Sequence, residues 1–143
     1  MSDQYKRHLQ KIAVDHQIHV LEVTDLQRHE GVACIALRAM LLPQIQDASS
    51  YAVGLHEFGH FLAPYGHGIS QGTHGDPRDP VHVRQMLTEE YAAWEWAEAA
   101  AKAEGIEWTL EMEHTKCLSL QSYQQQLQRV LARQERTQIA EVA

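Results

Sequence analysis

The chain is poor in the features that mark several protein classes. Its 143 residues hold only two cysteines, Cys34 and Cys117, far apart and in no CxxC pair. A disulfide framework needs more, so a reducing compartment is the simpler setting. No segment approaches the run of about 20 apolar residues that spans a bilayer, and residues 1–7 are too polar for a signal peptide. Runs of Lys or Arg are missing, and acidic residues exceed basic ones by 19 to 12, for a formal charge of −7. A direct nucleic-acid binder would carry a basic face. These absences lead to the expectation of a cytoplasmic protein with neither membrane nor nucleic acid as a partner.

Apolar residues make up 44% of the chain and charged residues 22%. That balance supports a packed core rather than disorder, and the length suits one domain over residues 1–143. Residues 4–16 read as a helix whose apolar face carries Leu9, Ile12 and Ala13. Residues 18–23 alternate as a strand, and 32–42 read as a second extended stretch ending at Pro43. Asp47, Ser49 and Ser50 are N-cap candidates for a helix over about 50–62 that stops before Pro64. Residues 64–80, rich in Gly and Pro, read as a long loop.

Beyond the loop, residues 81–103 form a helix with Gly105 as its stop. A last helix is predicted over about 109–136, its buried stripe made of Leu118, Tyr123, Leu127, Val130 and Leu131, with a flexible tail at 137–143. Helix, strand, strand, helix, loop, helix, helix suits a small, mostly helical α+β domain with a short sheet on one side.

Ten histidines are an unusual load for this length, and two stand in the segment His56-Glu57-Phe58-Gly59-His60. Four residues apart on a helix, His56 and His60 differ by about 40° around the axis, so both imidazoles can converge on one zinc ion. Glu57 lies beside that point and can act as the general base toward an activated water. The flanking Val53, Leu55, Phe58, Phe61 and Leu62 make this helix mostly buried, where unpaired histidines are costly. Gly54 and Gly59 weaken a helix by about 1 kcal/mol each relative to Ala, which predicts tight packing against them.

A catalytic zinc takes three protein ligands. His67 lies one place beyond the third histidine of HExxHxxGxxH, and Ala63 replaces its glycine. Glu89 and Glu90 open the next helix. Glu90 shares a face with Ala93, Trp94 and Ala97, and Glu89 shares one with Ala92, Ala93 and Trp96. Glu90 is preferred, with Glu89 and His67 open.

The hexapeptide Leu55-His56-Glu57-Phe58-Gly59-His60, followed by Glu90-x-x-Ala93-Trp94-x-Trp96-Ala97, resembles the gluzincins. It is similar to the small zinc peptidases of the ImmA/IrrE type and to related phage and bacterial proteins, over about residues 32–123. The resemblance implies a zincin-like domain with a short sheet over the HExxH helix, Zn2+ as cofactor, and His56, His60 and Glu90 as ligands. It also implies Glu57 as the catalytic base and a peptide or protein as substrate.

The chain departs from thermolysin-like members at Trp94, where they carry Asp, and from the Glu-Ala-Asn of the ImmA/IrrE pattern at Tyr91 and Ala92. The group that orients the histidines is therefore open. His114, Tyr123 and Tyr65 are candidate donors to an oxyanion, and His67 and His74 could line a cleft. Residues 32–42 could pair with an extended peptide, as an expectation from the family. A non-catalytic zinc-containing interaction or regulatory module is the alternative reading.

Overall fold

Helix ends in this chain follow from local chemistry. The structure, a computed structural model, describes residues 2–24, 31–64 and 76–142. Helix α1, Ser2–His16, buries Tyr5, Leu9 and Ile12, spaced to lie on one face. It closes through Gln17 in the left-handed region at φ 54, with the Ile18 amide donating to the Ala13 carbonyl at 2.9 Å. Helix α2, Ala48–Leu62, starts with a capping box: Asp47 accepts from the Ser50 amide at 2.9 Å while the Ser50 hydroxyl accepts from the Asp47 amide at 3.1 Å. It ends at Ala63, whose extended backbone leads into Pro64.

Helix α3, Pro80–Ala103, has Asp79 as N-cap and Pro80 in its first turn. Gly105, at φ 78, stops it: the Gly105 amide reaches the Lys102 carbonyl and the Ile106 amide reaches Ala101. Helix α4, Leu110–Val142, completes the chain. It runs six residues past the boundary near 136 expected from its apolar spacing, and positions 132–142 are exposed.

The sheet departs more from expectation. Residues 32–42 form two strands rather than one: β2 (Val32–Cys34) and β3 (Ala39–Leu42), joined by a turn at 35–38. With β1 (His19–Glu22) the order is β1-β3-β2, β3 running parallel to β1 and antiparallel to β2. The turn Ile35-Ala36-Leu37-Arg38 holds none of the usual Gly, Pro, Asn or Asp signals. Arg38 itself takes the left-handed conformation at φ 48. Its guanidinium donates to the His16 and Gln17 carbonyls, tying the turn to the end of α1. The alternation of β1 marks no buried face either, since all four of its residues are exposed and burial falls on Ile18 before it.

The core lies between α2 and its neighbours. Tyr51, Leu55 and Phe58 of α2 are fully buried against Trp94, Ala97 and Ala101 of α3, Met112 of α4 and Met40 and Leu42 of β3. Each large apolar side chain contributes about 1.5–3 kcal/mol by its burial. Ala93, Ala97 and Ala101 recur every four residues and let α3 approach α2 closely. The tight packing expected at the helix glycines is present. A Cβ on Gly59 would lie 2.4 Å from the Ala93 carbonyl oxygen, so only glycine fits there. The described residues form a small α+β fold of four helices and a three-stranded sheet. Among the described residues no helix is long and apolar enough to cross a membrane.

Candidate metal centre

Contact between α2 and α3 at Gly59 and Ala93 brings the His56–His60 turn opposite Glu90. The Glu90 carboxylate bridges the two rings: Oε2 lies 2.7 Å from His56 Nε2, and Oε1 lies 3.0 Å from His60 Nε2. Glu57 Oε1 stands 3.3 Å from His56 Nδ1. His56, Glu57 and His60 offer ligand atoms all within 4.8 Å of one another, a buried group able to hold a metal ion. Two imidazole nitrogens beside carboxylate oxygens are a donor set that suits zinc. A tetrahedral ion with bonds of about 2.0–2.1 Å separates its donors by about 3.3 Å. Opening the 2.7 Å His56–Glu90 contact by about 0.6 Å and the 3.0 Å His60–Glu90 contact by about 0.3 Å would match that spacing, a small side-chain adjustment, so the residues fit a divalent ion.

The electrostatics follow from burial. Glu90 is 3% exposed and His56 7%. Burial opposes a charged His56 ring, but hydrogen bonds to Glu57 and Glu90 outweigh it and lift the pKa to about 9. Burial likewise opposes a charged Glu90, yet hydrogen bonds from His56 and His60 hold its carboxyl well below the usual range. Tyr123 of α4 is hydrogen-bonded to Glu90. Burial, then the Glu90 charge, pushes the Tyr123 phenol well above its ordinary value. Among the described residues no buried side-chain nitrogen or oxygen lacks a partner.

The group opens into a cleft of about 760 Å³ whose walls include Val32, Val53, Met86, Trp94 and Tyr123. An adjoining opening of about 480 Å³ joins the edge strand β2 to His56, Glu57, His60 and Glu90. Gly31, just before β2, lies on the Glu57 side chain, where an added Cβ would meet Cγ at 2.7 Å.

The structure thus brings together His56, Glu57, His60, Glu90 and Tyr123. Glu89 is buried as well but is not among the described residues lining either opening. His114 is exposed and lines neither. Tyr65, His67 and His74 lie outside the described residues.

The α4 stripe needs correction. Leu118 is 50% exposed, while Met112, Thr115, Leu120 and Val130 are buried. Leu118 instead joins Thr115, Ser119, Ser122, Tyr123 and Gln126 along the cleft. Reading only apolar positions passed over this stripe, which the spacing of Thr115, Ser119 and Ser122 on one helical face does signal. The surroundings of His56 are likewise not legible from local spacing. Trp94 is stacked on its imidazole, ring centroids 4.3 Å apart and planes 15° from parallel. No protein-family profile matches this chain, and none of the curated proteins or solved structures matches it either.

Proposed function

We propose that the protein is a zinc-dependent peptidase with a gluzincin-like centre in a zincin-like domain. One observation carries the reading: the HExxH turn of α2 and the carboxylate of Glu90 meet at a single buried point beside an open cleft and the strand β2, which ends the sheet among the described residues. His56, His60 and Glu90 would hold the ion, and Glu57, whose carboxylate stands in the same buried group, would serve beside it as the base. A bound divalent ion would supply Lewis-acid activation of water and of the scissile carbonyl.

The chain's own residues do the rest. β2 is the last strand of the sheet, and a peptide laid along it extends the sheet and enters the cleft with its backbone held. Glu57, at the cleft wall, takes the proton from the attacking water and returns it to the leaving amine. Tyr123 can turn its hydroxyl from Glu90 toward the oxyanion that develops on the carbonyl.

Glu57→Gln keeps the ligands and is expected to bind zinc as the wild type does while losing about 10²–10⁴-fold in peptide hydrolysis. Peptide-library cleavage with and without chelator is the measurement; undiminished turnover in Glu57→Gln would remove Glu57 as the base. Tyr123→Phe is expected to lower kcat by about 10²–10³-fold, and an unchanged kcat would remove its role.

A further inference from the structure

A metal-ligating histidine is oriented through its second ring nitrogen, by a carboxylate or carbonyl that fixes the plane of the ring. In this chain, among the described residues, the group that faces His56 Nδ1 is the Glu57 carboxylate, at 3.3 Å. Glu57 is also the proposed base, and at 3.3 Å its contact is long for a charge-assisted hydrogen bond. The ring needs a constraint that does not take part in the chemistry.

Trp94 meets that need by position and by contact. It lies four residues after Glu90 on α3, so one helical face carries both groups. Its indole is 1% exposed and covers the flat side of His56 at 4.3 Å. Its Nε1 donates to Ser119 Oγ on α4 at 3.3 Å, which braces the indole at its edge. His60 and His56 meet edge to face at 4.6 Å and 72°, so His56 contacts one ring from each of two helices.

We propose that Trp94, braced by Ser119, is the positioning residue of the metal centre: its ring sets the plane in which His56 presents Nε2 to the ion. The inference rests on the metal-binding part of the proposed function and not on peptide hydrolysis. A stacked ring fixes the imidazole plane with no hydrogen bond to the second nitrogen. Trp94 steers His56 by its face instead.

The test uses the full chain, with zinc and cobalt as probes. Trp94→Leu removes the flat face and is expected to weaken zinc affinity about tenfold or more and to alter the visible absorption of the cobalt-loaded protein. Trp94→Phe keeps a flat ring and is expected to restore most of both properties. Ser119→Ala frees the indole at almost constant volume and should fall between them. Cobalt should quench tryptophan emission in the wild type, in Trp96→Phe and in Trp108→Phe, and much less in Trp94→Phe.

Wild-type affinity with an unaltered cobalt spectrum in Trp94→Leu overturns the assignment. So do equal losses of affinity in Trp94→Leu and in Met112→Ala, a core truncation away from both openings. If Trp94→Leu does not fold, Ser119→Ala and the quenching pattern decide. A wild-type protein that binds neither ion overturns the metal reading and this inference together, an outcome distinct from normal binding indifferent to Trp94.

Discussion

Helix α2 carries buried histidine chemistry on two faces, and the two faces behave oppositely. Toward α3, His56 meets two carboxylates and its pKa is lifted to about 9. Toward α1, Tyr51 of α2 meets His8, whose Nδ1 lies 2.6 Å from the phenol oxygen. His8 is as buried as His56, at 6% against 7%, yet its pKa is lowered, by burial first, with the more distant Glu104 opposing. Burial alone therefore does not make a cation or a metal site. The partner decides: a neutral phenol leaves the ring neutral, whereas carboxylates hold a proton or an ion between them.

The faces also differ in how rigidly they are built. At Gly59 the neighbour is backbone, with the Ala93 oxygen 2.4 Å and the Ala93 Cα 2.8 Å from an added Cβ. At Gly54 the neighbour is Leu9 Cδ1, at 2.9 Å, the far end of a flexible side chain. The largest effect should come from breaking the rigid face. Gly59→Ala is expected to cost about 3 kcal/mol and to weaken zinc binding by moving Glu90 away from His60. Denaturant unfolding and zinc titration measure both, and a variant as stable as the wild type would refute the close approach.

An intermediate effect is expected from pH on the other face. The folded pKa of His8 lies below its unfolded value of about 6.5, so the unfolded chain binds more protons as pH falls. The contribution of His8 is complete above about 6.5 and is lost below it, by up to about 1.4 kcal/mol per pH unit until the folded state also protonates. His8→Gln should flatten that acidic limb in thermal melts across pH 5–7. In chelated protein His56 acts in the opposite sense: its contribution is present below about 6.5 and fades as pH rises through about 9. An acidic limb unchanged in His8→Gln would break the contrast between the two histidines.

The smallest effect is expected from Gly54→Ala. The gain of about 1 kcal/mol in helix propensity offsets the shift required of Leu9, so the variant should lie within about 1 kcal/mol of the wild type in the same unfolding experiment. A loss as large as that of Gly59→Ala would erase the difference between the faces.

Much of this arrangement was legible in the sequence where the cause is local. The spacing of His56, Glu57 and His60, the Asp47 cap and the Gly105 stop each depend on a few neighbouring residues. The apolar face shared by Glu90, Ala93, Trp94 and Ala97 was also readable from helical periodicity. The hairpin between β2 and β3 was not, because Arg38 takes its left-handed turn through bonds to the end of α1, more than twenty residues earlier in the chain. The exposed β1 misled for a related reason, since alternation describes side-chain direction and not what covers it. In α4 the apolar spacing pointed to Leu118, whereas the helix turns a band of hydroxyls toward the cleft.

By itself the sequence determined the helices, their caps and the pair of imidazoles one turn apart, since these depend on backbone geometry within a few residues. Only the tertiary structure decided that Glu90 bridges His56 and His60, that Trp94 lies flat on His56, and that β2 borders the site. Those relations depend on how closely α3 and the sheet approach α2. That approach is set by the missing Cβ at Gly59 and the Ala93 backbone against it, a contact between residues 34 positions apart that no local pattern encodes.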